Sequence, residues 1–164
     1  MAKITFSLDT NLPAEAVLAA AIDFTENRLH YWPNIDPRVY KVHGTTASTA
    51  DVTEGSAMLG GIWAREAYDW SQPNNVLATV QDSNAFRPGG KWHLRATPLM
   101  DGGCRVEVVS NRVARGFKGI VIGAMLTLFG ARVMRAQLQQ TLHIIAKDMA
   151  LNPTARVGAR VETM

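Results

Sequence analysis

From Gly116 to Ala150 the chain reads GFKGIVIGAMLTLFGARVMRAQLQQTLHIIAKDMA, the only stretch long enough and free enough of proline for a helix of many turns. Its second half is amphipathic. Ala131, Met134, Leu138, Leu142, Ile145 and Met149 recur at spacings of three and four, while Arg132, Arg135, Gln139, His143 and Lys147 fall mostly on the other side. The first half, Gly119 to Ala131, holds no polar residue except Thr127 and leaves no face for water. A helix apolar all round is buried all round, lies in lipid, or packs on a partner. These thirteen residues, at ~1.5 Å each, span roughly 20 Å, short of the ~30 Å hydrocarbon core. Spanning a bilayer is therefore not expected, and burial within the domain is.

Such a helix needs a surface to cover, and the upstream sequence supplies one. Ile4, Phe6 and Leu8 alternate with Lys3, Thr5, Ser7 and Asp9, the pattern of a half-buried strand. Asn11 and Pro13 then suit the start of a short Ala-rich helix, with Asn11 as its cap. Phe24 to Tyr31 suits a second short helix, capped by Asp23 or Thr25 and ended at Trp32-Pro33. Beyond Pro37 the chain changes to strand grammar. Val39–Thr46, Ala50–Met58, IWAREAYDW, VLATVQD, KWHLRATPL and CRVEVVSNRV are separated by short turns rich in Gly, Pro and Asn. The order strand, two small helices, a run of hairpins, one long helix describes an α+β domain. A curved antiparallel sheet has an inner face to bury, and the C-terminal helix is the cover. Residues 1–150 form one domain on this reading, with 151–164 a flexible tail.

The totals narrow the function classes. Of the 164 residues 47% are hydrophobic and 19% charged, the balance of an ordinary globule. Residues 1–104 carry eight Lys/Arg against eleven Asp/Glu, and residues 105–164 carry nine against three, so the positive charge sits in the C-terminal third. Cys104 is the single cysteine, and MAKITFSLDT holds no apolar run that would serve as a signal peptide. Both point to the cytoplasm. His30, His43, His93 and His143 lack metal-ligand spacing, and no P-loop, GxGxxG or GxSxG motif is present. No metal, cofactor or nucleic-acid partner is expected, although Arg112, Arg115 and Lys118 form a cluster suited to phosphate.

The same order, with its motifs, resembles the START-like superfamily, which includes the Bet v 1-like proteins and the SRPBCC-type polyketide cyclase/dehydrase and lipid-transport proteins. Leu12-Pro13-Ala14-Glu15-Ala16-Val17 after the opening strand, Tyr31-Trp32-Pro33, and Gly60 before a strand ending Trp70-Ser71-Gln72-Pro73 carry the resemblance, with Trp92, Pro98 and Gly102-Gly103 ahead of the last strand. The resemblance implies the helix-grip fold and a cavity between sheet and helix that takes a lipid, polyketide or similar hydrophobic small molecule. It implies no universal catalytic residue.

Strand alternation selects the residues that face such a cavity. On IWAREAYDW the more apolar set is Ile62, Ala64, Glu66, Tyr68 and Trp70; on KWHLRATP it is Trp92, Leu94 and Ala96; on CRVEVVSNRV it is Val106, Val108 and Ser110. Tyr40 and Met58 join them from the preceding strands, Trp32 from the second helix, and Met125, Phe129 and Met134 from the long helix. Glu66 stands out as a carboxylate in an apolar row, needing a proton or a partner, Arg65 or a cross-strand arginine among them. Three functions compete. A binding or transport module needs only the cavity. A cyclase/dehydratase-type enzyme would use Glu66 and Tyr68 as acid/base groups. A membrane- or partner-docking protein would expose Gly119–Ala131, helped by Arg115, Lys118, Arg132 and Arg135.

Overall fold

The computed structural model describes residues 2–152, so most of the expected tail lies outside the described residues. The opening strand β1 spans Ala2–Thr10 and is followed by α1 (Ala14–Ala21) and α2 (Asn27–Tyr31). Six strands come next: β2 (Lys41–Thr45), β3 (Thr49–Ser56), β4 (Ile62–Asp69), β5 (Asn75–Ser83), β6 (Lys91–Pro98) and β7 (Cys104–Arg112). One long helix, α3 (Gly116–Leu151), closes the domain. The strands form a single antiparallel sheet in the order β1-β7-β6-β5-β4-β3-β2. Each hairpin places its strand beside the last, and only β1 pairs out of sequence order, with β7.

The alternation read from the sequence holds on the inner face. Ala64, Glu66 and Tyr68 on β4, Leu94 and Ala96 on β6, and Val106, Val108 and Ser110 on β7 are all buried. A bulge lies between β4 and β5: Arg65 pairs with Asp82 and Glu66 with Val80, so Gln81 is the extra residue. Because it falls on β5, the parity of β4 survives while the sheet bends locally. The bend is visible across the whole face. Strands β4 and β7 are three places apart in the order, roughly 14 Å in a flat sheet, yet Arg112 on β7 bonds Glu66 on β4 at 2.6 Å. Only a strongly curved sheet brings those two side chains together.

Local starts differ from expectation in detail. Asn11 does not cap α1; Pro13 occupies the cap position, and its carbonyl accepts from Ala16 and Val17 N–H. Helix α2 is shorter than Phe24–Tyr31 because Asp23 and Thr25 bond each other and fold the chain into a turn. That turn sends Phe24 onto the sheet, edge-on to Tyr68 at 4.8 Å between centroids.

The core splits at the helices. Leu138, Leu142 and Ile145 of α3 pack with Ile4, Phe6, Val17, Leu94 and Val106, tying α3, α1 and the β1–β7–β6 side of the sheet. Phe24, Val52, Tyr68 and Val76 form a second cluster over β3 to β5. The first half of α3 is a different matter, and here the expectation of burial fails. Only Gly119, Ile122 and Gly130 of that stretch are buried, whereas Ile120, Val121, Met125, Leu128 and Phe129 are exposed. A helix apolar on every side needs cover on every side. The sheet supplies one, and no described element is left for the others.

Candidate functional site

Between the inner face of the sheet, the first half of α3 and the segment after α2 lies a cavity of about 290 Å³. Its helix side is mainly apolar, lined by Ile122, Met125, Leu126, Phe129, Val133 and Met134, with Gln137 its one polar residue. Phe86 enters from the β5–β6 connection. It is placed there by Ser83, whose hydroxyl donates to the Trp63 carbonyl at 2.6 Å and accepts from the Ala85 and Phe86 N–H groups. Trp32 and Trp92 meet edge to face at 6.3 Å between centroids, and the Trp32 indole N–H donates to the Ala20 carbonyl at 3.0 Å.

The sheet side is mixed: Ile4, Phe6, Ile62, Ala64, Trp92 and Val108 line it beside a cluster of polar groups that pair with one another. Arg28 of α2 is buried, and its Nε donates to Glu54 Oε1 at 2.7 Å. Its Nη1 donates to the Ala21 carbonyl at 2.8 Å, and its Nη2 to the Tyr68 hydroxyl at 3.2 Å. The Phe24, Trp32 and Tyr68 rings surround the guanidinium at 4.8–5.4 Å. Tyr68 in turn donates to Glu54 Oε2 at 3.0 Å and stands 3.5 Å from Glu66 Oε2. Glu66 takes Arg112 Nη2 on its other oxygen, and Arg112 stacks on Phe86. Two arginines and two carboxylates therefore interlock around one phenol.

Burial dominates the electrostatics. It pushes the Glu66 carboxyl up; Arg112 opposes it, Glu54 adds to it, and the pKa stays raised. Burial likewise lifts the Tyr68 phenol well above its ordinary value, with Glu54 and Glu66 adding to the effect. For Arg28 burial works against the charge, but Glu54 and Tyr68 outweigh it and the pKa is raised. Folding thus strengthens the hold of Glu66 on its proton, and Glu66 lines the cavity.

Of the residues picked from the sequence, Trp32, Met58, Ile62, Glu66, Tyr68 and Trp92 line this cavity, as do Ser110, Met125, Phe129 and Met134. Two do not. Leu94 faces inward as expected but is covered by the core cluster that includes α1. Tyr40 lies at the β3–β5 cluster, its hydroxyl donating to the Phe24 carbonyl at 2.9 Å. The phosphate cluster does not exist as one: Arg112 turns in to Glu66, Arg115 pairs with Asp82, and Lys118 reaches the Gly60 and Gly61 carbonyls. Arg28 and Glu54 were not picked. Glu54 shares a face with Ala50 and Val52 on β3, so alternation identifies it; Arg28 sits on a helix of five residues, too short to show a face.

No protein-family model matches the chain, and no curated protein sequence matches it. Solved structures do. The aromatase/cyclase Zhui from Streptomyces sp. R1128 superposes with a TM-score of 0.75 at 12% identity, over 88% of this chain and 93% of that one. A START superfamily protein from Mycobacterium smegmatis gives 0.72 at 13% identity, over 88% and 97%. Human STARD10 gives 0.67 at 10% identity, over 93% of this chain and 66% of that one. The fold is START-like. Within that START-like, helix-grip frame the cavity lies between sheet and long helix, and the interlocked Arg28–Glu54 and Glu66–Arg112 pairs form the polar part of its wall.

Proposed function

We propose that the protein binds a compact hydrophobic small molecule, lipid- or polyketide-like, in the cavity beneath α3. The observation that carries this reading is a mainly apolar cavity whose polar groups, Glu54, Glu66, Tyr68 and Arg112, are gathered in one cluster on the sheet. An amphipathic ligand would lay its body on Met125, Phe129 and Met134 and turn a hydrogen-bonding end toward Glu66, Arg112 and Ser110. Asn34 Oδ1 and Arg112 Nε, on two lining residues, have no hydrogen-bond partner among the described residues, and a polar ligand head supplies what they lack. The volume stands at the small end of the ~300–1,000 Å³ range of ligand sites, which favours a few fused rings or one short chain. Solved neighbours described as START superfamily, STARD10 and aromatase/cyclase proteins support the class. With it goes a cytoplasmic location, which the lone, buried Cys104 supports.

Cyclase/dehydratase-type catalysis is the second reading, favoured by the convergence of Glu54, Glu66 and Tyr68 oxygens on one point. A neutral Glu66 would be the proton donor. Native mass spectrometry of the gently purified protein tests both readings. A co-purified small hydrophobic species supports binding, and an empty protein that also ignores added single-chain and polycyclic ligands rejects it. Glu66→Gln then separates the two: binding survives it, since an amide still hydrogen-bonds, and turnover does not.

A further inference from the structure

The first half of α3 presents an apolar face to solvent. Phe117 is 82% exposed, Leu128 74%, Ile120 62% and Phe129 57%. On a helix, Phe117, Ile120, Val121, Ala124 and Leu128 fall within an arc of about 100°. They lie opposite Gly119, Ile122 and Gly130, which face the domain. An arc of this width is that of a stripe which a helix ordinarily buries. The helix is also long and apolar enough, by length and composition, to cross a bilayer, with a window of mean hydropathy 1.5. Its buried Ile122, Leu138, Leu142 and Ile145 instead hold it against the domain, so the surface it offers to lipid is this face alone.

Charge decides the occupant. No Asp or Glu lies between Glu107 and Asp148, while Arg112, Arg115, Lys118, Arg132 and Arg135 all do. Arg112 is committed inside and Arg115 to Asp82. Lys118 and Arg132 lie along one side of the apolar arc, and Arg135 stands about two turns beyond Leu128, its guanidinium 5.5 Å over the Phe6 ring. Arg132 makes no hydrogen bond among the described residues, and Lys118 bonds only neutral carbonyls. A second copy of the chain would set this cationic rim against itself. An anionic bilayer satisfies both parts, since acyl chains take the ridge and phosphates the rim. The patch is also continuous with the cavity, because Met125 and Phe129 belong to both.

We propose that the first half of α3 docks on an anionic lipid surface, with Phe117, Ile120 and Leu128 entering the acyl boundary and Lys118, Arg132 and Arg135 at the headgroups. The mouth of the cavity then faces lipid, and a hydrophobic molecule passes between the two without crossing water. The docking itself does not require the ligand reading to hold.

The test is co-sedimentation of the full chain with phosphatidylcholine vesicles, with and without phosphatidylglycerol. Binding is expected on the phosphatidylglycerol vesicles and should weaken as salt rises. Leu128→Glu is expected to lower the partition coefficient at least about tenfold, and Arg132→Gln about fivefold. Both side chains are exposed, so the fold and any cavity ligand should be kept, as circular dichroism and native mass spectrometry would read. Failure to bind phosphatidylglycerol vesicles overturns the proposal. So does equal binding to both vesicle types, or binding indifferent to Leu128→Glu. Self-association abolished by Leu128→Glu, without vesicle binding, overturns it in favour of a second copy.

Discussion

Glu66 is buried beside an arginine and still holds its proton more tightly than an exposed carboxyl, because lost hydration outweighs the ion pair. A carboxyl pKa raised by folding means the native state binds more protons than the unfolded one. The stability it contributes is present below the unfolded value of ~4.3 and is lost as pH rises through the folded value. Urea midpoints measured from about pH 4 to pH 8 should therefore fall less steeply for Glu66→Gln than for the parent chain. Parallel slopes would place the titration elsewhere. The Arg28–Glu54 pair behaves differently, since Glu54→Gln strands a buried guanidinium. That variant should lose about 3 kcal/mol in denaturant unfolding, and Arg28→Lys should not be a silent exchange, because the amine cannot reach Glu54, Ala21 and Tyr68 at once. Glu66 was legible because alternation put a charge in an apolar row. Its partner was not, since Arg112 is brought near only by curvature, which a strand pattern does not encode.

At the scale of elements, α3 sits where it does because glycine lets it come close. A Cβ on Gly119 would run into the Ala85 backbone carbonyl, whereas one on Gly130 would meet only the tip of the Ile4 side chain and Leu126. Alanine at either position gains about 1 kcal/mol of helix propensity. At Gly119 the backbone clash outweighs that gain, so Gly119→Ala should lose about 1–3 kcal/mol net. At Gly130 the Ile4 tip swings aside and the effect should stay within about 1 kcal/mol. Thermal unfolding of the two variants checks the order; a Gly130→Ala loss exceeding that of Gly119→Ala would contradict this packing. All seven strands and the long helix were legible from period and turn chemistry, the strands to within a few residues. Burial of Gly119–Ala131 was misread, because all-round apolarity states that a helix wants cover, not that the chain has any to give. The Asn11 cap was misread too, since a neighbouring proline took the position.

At the scale of the molecule, the ligand and the fold share one stability. Saturation at about a hundred times Kd adds about 2.7 kcal/mol, so the melting midpoint should rise by about 5–10 °C with the molecule that native mass spectrometry identifies. An unmoved midpoint would mean that the molecule sits outside the cavity. The sheet order carries a different consequence, for the way the chain reaches this state. β1 is made first and pairs only with β7, Ala2 opposite Arg112, more than a hundred residues later. Hairpins β2 to β7 can form as they leave the ribosome, each on its predecessor. β1 must wait, an alternating strand with an unpaired edge, and the closing helix that covers it comes later still. The sheet is thus completed from its far side, and its last ladder is the one joining the beginning of the chain to the end of the meander.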